Sequence, residues 1–502
     1  MRLKKALKNL IFNVLQQFIN IIVNFLMPPV LVASFGSTVN GLVSTIRQIM
    51  QYIQLTGAGI AQASTYALYK PLAEQDKNEI NGIYNATKLM FRKAGNIFSV
   101  IVLIIAVFYP LFVKEQVNYF TVLFLVIVIS ISGASEFYLC GKYNALLTAN
   151  QENYVVAIAQ TIGSITNLIF LIVLTKLNQS IVIVQLGMSS VYLLRIIILS
   201  TYVIKKFPYL NSKVEPAFEK ITQRNDAVVH QIATLIVNGS STIIVSLILG
   251  LKEASVFSVY LIVFQGITTV CSIVSNAIYA SFGEVIAKKQ QKILQNAFNI
   301  YEFIYFIIVA IIFSCTFILI MPFIRLYTVN MTDADYIQPT LAILFIVVGI
   351  ANNLRIPAST IVTSAGHFKE TKWRAVLEMI INIIGQFLFG FLFGLNGVLL
   401  GCVASYSYRT LDFIFYTHKY ILKTTPMITF KRIFINFISS IIVIYLLLTF
   451  INVRILNFID WIKYGLFFVI VISFFIIIIN IIFDNKTFLS CINTFKSLFK
   501  NS

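Results

Sequence analysis

Tyr464 to Phe483 reads YGLFFVIVISFFIIIINIIF, twenty consecutive residues without a charge. A helix crosses the hydrocarbon core of a bilayer with ~20 apolar residues, so this stretch alone predicts a membrane span. It lies in the last of fourteen apolar blocks, at 461–483. The others run roughly over 9–33, 39–66, 91–113, 119–141, 152–174, 181–204, 225–249, 254–281, 298–321, 337–363, 373–394, 397–419 and 433–451. They take up most of the 502 residues and leave little room for a soluble domain. The chain is 58% hydrophobic and 11% charged, with mean hydropathy +0.87. Water-soluble domains carry roughly 25% charge, so a soluble globular fold is excluded. Disorder is excluded too, because it needs low hydrophobicity and high charge density. The expected fold is all-α: a polytopic membrane protein of about 14 transmembrane helices. The five cysteines are scattered without CxxC or Cys/His spacing, which implies neither a metal site nor a disulfide framework.

The first block follows Arg2, Lys4, Lys5 and Lys8, as a signal peptide would. It is too long for an apolar signal core and carries Asn13, Gln16, Gln17, Asn20 and Asn24, so it reads as a retained span. The net charge of +19 could suggest nucleic acid, but its distribution points elsewhere. With the N-terminus inside, 28 of the 38 lysines and arginines fall in inner segments and 5 in outer loops. That is a positive-inside bias, which predicts a cell-membrane protein with both termini cytoplasmic. The basic charge then serves topology and contact with anionic membrane lipids, and no nucleic-acid partner is expected. Every outer loop is short, the longest being about 322–336, which counts against a ligase or polymerase with an external catalytic loop.

Segments six spans apart resemble each other. Asn24 and Asn238, Gly36 and Gly250, Tyr192 and Tyr406, and Arg195 and Arg409 are each 214 residues apart; Thr148 and Thr363, and Asn167 and Asn382, are 215 apart. This predicts a six-helix bundle over 1–215, a second over 216–428, and two extra spans with a cytoplasmic tail over 429–502. Six is even, so the halves share one orientation and their pseudo-twofold axis runs along the membrane normal. Such repeats belong to transporter architecture, with the substrate between the halves.

The polar residues inside the spans fall into stripes at 3–4 spacing, which puts each set on one helix face. Span 1 has Asn13, Gln17, Asn20 and Asn24; span 2 has Ser44, Arg47, Gln51 and Gln54; span 7 has His230, Thr234, Asn238 and Ser241; span 10 has Asn352, Arg355, Ser359 and Thr363. Single polar residues of this kind serve as glue between helices. The stripes together predict a wet central cavity. An ionisable group in hydrocarbon costs ~2.5–3.5 kcal/mol by insertion scales. Arg47, Arg195, Arg355 and Arg409 therefore each need a reason. A guanidinium is a planar fork suited to phosphate oxygens. Arg409 has Asp412 three residues on and reads as a structural ion pair or a ligand contact; Arg195, near a span end, either snorkels or meets ligand. Arg47 has no acidic residue in its own span. The candidate substrate contacts are Arg47, Arg195, Arg355, Arg409, Gln51, Gln54, Asn24 and Asn238. His230 is a candidate proton-coupling residue beside the alternative of a packed, hydrogen-bonded histidine.

The run Phe35-Gly36 to Asn40-Gly41-Leu42, then Gly57-Ala58-Gly59-Ile60, then Tyr69-Lys70-Pro71-Leu72-Ala73 and Asp76, resembles the oligosaccharide-flippase (Wzx-type) family of the multidrug/oligosaccharidyl-lipid/polysaccharide exporter superfamily. It is most similar to the polysaccharide transporters of Gram-positive bacteria. His230, Asn238, Ser241-Thr242 and Leu249-Gly250 match the motif that opens that family's second half, but Ile243 stands where the family has an aspartate, which weakens the case for cation coupling. The resemblance implies a flippase for undecaprenyl-pyrophosphate-linked oligosaccharide, working by alternating access, with no enzymatic step and no cofactor. A proton or sodium gradient would be the coupling source, and polysaccharide assembly proteins would be partners. The rival readings are a peptidoglycan-precursor flippase, a multidrug exporter of the same superfamily, and a membrane glycosyl ligase or polymerase.

The topology is open to labelling. In a background lacking the native cysteines, Asn178→Cys should react with an impermeant maleimide from outside the cell and Asn211→Cys only after permeabilisation. The opposite pattern would invert the orientation.

Overall fold

The computed structural model describes residues 2–221, 225–451 and 454–500. The described residues are helical throughout, with no strand among them. In chain order the helices are α1 (Arg2–Gln54), α2 (Ala58–Glu74), α3 (Lys77–Val113), α4 (Tyr119–Ser135), α5 (Gly141–Ala149), α6 (Asn153–Lys176), α7 (Ile181–Lys206), α8 (Asn225–Ile248), α9 (Leu251–Ala287) and α10 (Gln291–Tyr327). They continue with α11 (Pro339–Leu354), α12 (Ile356–Ser364), α13 (Phe368–Tyr416), α14 (Met427–Phe450), α15 (Phe458–Phe483) and α16 (Asn485–Lys500). Among the described residues 11 helices are long and apolar enough to cross a membrane. The fourteen apolar blocks reconcile with that number at three places. The helix α1 holds the first two blocks on either side of Gly36, and α13 holds two more on either side of Gly394. The third is α8, whose apolar part, Ile232–Ile248, is shorter than the others. The segment 67–93, expected to be a separate surface helix, instead extends both neighbouring spans. The turn between α2 and α3 is held by Asp76, whose side chain accepts from the backbone N–H groups of Asn78 and Glu79.

The internal repeat is written in the backbone. Gly36 (φ 79°) and Gly250 (φ 97°) are left-handed and 214 residues apart, as are Gln75 (φ 57°) and Lys289 (φ 54°). Gln151 (φ 57°) and Gly366 (φ 71°) are 215 apart, and Asn178 (φ 52°) and Gly394 (φ 62°) are 216 apart. Left-handed backbone is strained for most side chains, so it marks the residues that reverse the chain between spans. Eight of the nine left-handed residues pair off at the repeat spacing.

By packing, the chain divides into two compact units, one of residues 1–228 with 245–258 and the other of 229–244 with 259–502. In the first unit, Leu42, Val43 and Ile46 of α1 share a core with Val122, Leu125 and Val126 of α4 and Val184 and Met188 of α7. A second core joins Leu68, Ile80 and Ile83 to Leu146, Leu147 and Leu199. Large apolar side chains such as Leu103, Phe108 and Phe112 on α3 point outward, Phe112 being 73% exposed. A helix that is apolar on both its buried and its exposed faces suits a hydrocarbon surround and not water.

In the second unit, α10 is flanked by α11, α14 and α15. Arg432, counted above as an inner-loop charge, sits on α14 and is only 2% exposed. Its Nη1 donates to Glu302 Oε2 on α10 (2.8 Å), its Nε to Asp484 Oδ2 (2.9 Å) and its Nη2 to Thr487 Oγ1 on α16 (3.0 Å). Thr429 donates to the other Glu302 oxygen (2.7 Å). One turn deeper, Asn436 and Asn480 exchange amide hydrogen bonds between α14 and α15 (3.3 and 3.0 Å), and Trp461 Nε1 donates to the Leu319 carbonyl (3.1 Å). The two extra helices are thus fixed to α10 by polar contacts placed along their length. Arg432→Ala should leave Glu302 as an uncompensated buried charge, a loss of ~3–5 kcal/mol. Adding Glu302→Gln should restore much of it, read as the melting temperature by fluorescence-detected gel filtration. The same melting point for the single and double variants would show that Glu302 is not the stranded group.

Candidate functional site

The first unit encloses a cavity of about 350 Å³. Its walls come from five spans: Asn20, Asn24, Arg47, Gln51 and Gln54 of α1, Ser132 of α4, Ser164 and Asn167 of α6, and Gln185, Ser189 and Tyr192 of α7. The expected stripes on spans 1 and 2 meet here because 3–4 spacing keeps each on one helix face. Three of the walls were not read from the sequence, although Ser164/Asn167 and Gln185/Ser189/Tyr192 carry the same 3–4 spacing. Arg47 is half-buried in this wall, and the hydrogen-bonding contact described for it is Nη1 to the Met27 sulfur (3.6 Å), a weak acceptor. No aspartate or glutamate is among the lining residues. Asn167 Oδ1 and Gln185 Nε2 are buried without a hydrogen-bond partner, one acceptor and one donor left over. A buried polar atom with no partner costs the full desolvation penalty, and a bound polar ligand would relieve it.

Arg195 lies outside that lining. It pairs through Nη2 with Glu136 Oε2 (3.2 Å), although no acidic residue lies in its own span. The remaining expected site residues lie in the second unit, where the arginines are paired. Arg355 forms an ion pair with Glu378 and donates from Nη2 to Asn352 Oδ1 (2.7 Å). Arg409, 1% exposed, meets Glu378 through Nε (3.3 Å) and Asp412 through Nη1 (2.7 Å). Arg374, counted above as an inner-segment charge, closes the row by pairing with Asp412 from the 39% exposed end. The order Arg355, Glu378, Arg409, Asp412, Arg374 alternates in sign, and its four inner members sum to zero. Arg355 also lies over the Tyr406 ring (4.6 Å), and Tyr406 donates to Asn238 Oδ1 (3.3 Å). Asn238 and Arg355 therefore share one aromatic neighbour, which is a packed arrangement. Glu378 is the residue whose role the sequence reading missed: it sits on a different helix from Arg355 and 31 residues before Arg409.

His230 Nε2 is 2.8 Å from Thr371 Oγ1, and that hydroxyl donates its own proton to the His367 carbonyl (2.7 Å). The imidazole must then donate through Nε2, and its ring stands edge-on to Phe368 (6.0 Å). This is the geometry of a held histidine. Among the described residues no group of three or more His, Cys, Asp or Glu side chains could hold a metal.

No protein-family model matches the chain, and no curated protein matches it. Solved structures do. An inward-facing multidrug resistance MATE family transporter of the MOP superfamily superposes with TM-score 0.64 at 14% identity, over 82% of this chain and 97% of that one. The lipid II flippase MurJ in an inward closed conformation gives TM-score 0.64 at 18% identity, over 95% of this chain and 99% of that one. A MOP superfamily transporter from Pyrococcus furiosus, described as having a binding pocket of reversed polarity, gives 0.50 at 14% identity over 84% and 95%. The fold is that of MOP-superfamily transporters.

The charge row generates a test. Arg409→Met leaves two complete pairs, Arg355–Glu378 and Arg374–Asp412. Glu378→Met leaves Arg355 and Arg409 with one carboxylate between them, Asp412, and should lower the melting temperature more, by a loss of ~3–5 kcal/mol for the uncompensated buried charge. A larger fall for Arg409→Met would move the hub of the row from Glu378 to Arg409.

Proposed function

We propose that this protein is a flippase for lipid-linked anionic oligosaccharides of the undecaprenyl-pyrophosphate class, acting at the cell membrane by alternating access and with both termini cytoplasmic. The observation that carries this reading is Arg47: a guanidinium in an amide- and hydroxyl-lined cavity with no carboxylate in the lining. Pyrophosphate oxygens fit its fork, and the surrounding Asn, Gln and Ser groups fit sugar hydroxyls. A volume of about 350 Å³ suits a head group and a sugar more than a whole glycan. The same lining counts against an exporter of organic cations, which would need negative charge where this cavity has positive. No bond is made or broken in this mechanism, so no catalytic residue is assigned.

A peptidoglycan precursor is the second reading. It is supported by the lipid II flippase structure, which matches 95% of this chain where the multidrug transporter structure matches 82%. Both readings place a pyrophosphate at Arg47 and differ only in the glycan. Arg47→Ala should remove a charge-assisted contact of ~1.5–3 kcal/mol and abolish export, with the protein level near normal. Surface polysaccharide in the native host, and rescue of a strain lacking its lipid II flippase, are the two readouts. Loss of the first alone favours polysaccharide export; rescue of the second by wild type and not by Arg47→Ala favours the precursor. Normal activity in both with alanine at position 47 would remove the reading.

A further inference from the structure

Ser132 and Tyr192 line the Arg47 cavity, and one helical turn further along the same two elements lie Glu136 and Arg195. Both helices that face the pair are irregular at this level. After Ser135 the chain winds through a π turn, Glu136–Cys140, before α5 begins, and after Gln54 it tightens into a 3₁₀ turn, Leu55–Gly57. A Cβ on Gly57 would collide with the Phe137 ring, and Gly95 lies equally close to Phe137 and Tyr138. π turns of this kind are over-represented where a protein does its work.

The ion pair itself is incomplete. Arg432 and Arg409 each meet two carboxylates in the buried interior, whereas Arg195 meets one, through a single nitrogen at 3.2 Å. Its Nε is buried with no partner. The pair is also open, with Glu136 31% and Arg195 13% exposed. Glu136 is not dependent on Arg195, because Asn144 Nδ2 donates to its other oxygen (2.6 Å). If the carboxylate let go of Arg195, it would keep one hydrogen bond, and the guanidinium would present a fork of donors one turn from the cavity wall.

We propose that Glu136 is a resident counter-anion for Arg195, displaced when the phosphate group of the ligand reaches the end of the cavity, so that Arg195 becomes a second anion contact after Arg47. This rests on the reading of the Arg47 cavity as a pyrophosphate site. The exchange is one anion for another at a fixed cation. No bond is made and no proton moves. It favours ligands whose charge is dense enough to compete with a carboxylate, which a doubly charged phosphate is and a neutral sugar is not.

The full-length protein in lipid nanodiscs, titrated with inorganic pyrophosphate, tests the exchange. Glu136→Gln removes the competitor and should tighten pyrophosphate binding about tenfold, the value of one charge-assisted hydrogen bond. Glu136→Asp keeps the charge, draws it one methylene back from Arg195, and should shift binding the same way by less. Arg195→Gln should weaken binding, and Glu136→Gln added to Arg195→Gln should then change nothing. If Arg47→Ala loses pyrophosphate while Glu136→Gln binds like wild type, the cavity stands and the counter-anion role falls. If wild type binds no pyrophosphate, or binds it independently of Arg47, the cavity reading falls and this inference with it.

Discussion

A guanidinium cannot give up its charge at any physiological pH, so an arginine within hydrocarbon must be met by an anion or by water. This protein answers that constraint in two ways. Arg195, Arg355, Arg409 and Arg432 are met by carboxylates from other elements or from the next turn of their own helix. Arg47 is met by a polar cavity and a methionine sulfur. The first solution ties helices together and is satisfied without a ligand. The second leaves positive charge facing an enclosed space, and that difference separates a scaffold residue from a binding residue.

The internal repeat makes the contrast sharper. Tyr192 and Tyr406, and Arg195 and Arg409, occupy equivalent places in the two halves. In the second half Tyr406 is stacked by Arg355 and bonded to Asn238, and Arg409 is sealed between two carboxylates. In the first half Tyr192 faces the cavity and Arg195 holds a single loose partner. A duplicated framework has kept its turns, as the left-handed residues record, while one copy has closed its polar interior and the other has left it open.

How much of this could be read beforehand follows from what sequence periodicity measures. Spans were legible because hydropathy over ~20 residues is a local property. The stripe Asn20, Asn24, Arg47, Gln51, Gln54 was legible because 3–4 spacing reports one helix face. Glu136 with Arg195 and Arg355 with Glu378 were not, since periodicity along one helix carries no information about which face another helix presents. Arg432 was misplaced because it stands at the edge of an apolar block, where a buried charge and a loop charge look alike. The α2–α3 hairpin was missed for a similar reason: its charged residues continue two helices past the membrane without breaking their pattern.

The order of charges along the chain bears on how such a protein enters the bilayer. In the long-range pairs Glu136 with Arg195, Glu378 with Arg409, and Glu302 with Arg432, the carboxylate is synthesised first. A carboxyl group left alone in hydrocarbon can wait in its protonated, uncharged form; an arginine has no such form. Emerging first, each glutamic acid can be integrated as a neutral residue and ionise only when its arginine arrives. Arg432, last of these cations to leave the ribosome, then finds Glu302 already waiting on α10, so its own integration is eased by a helix made 130 residues earlier.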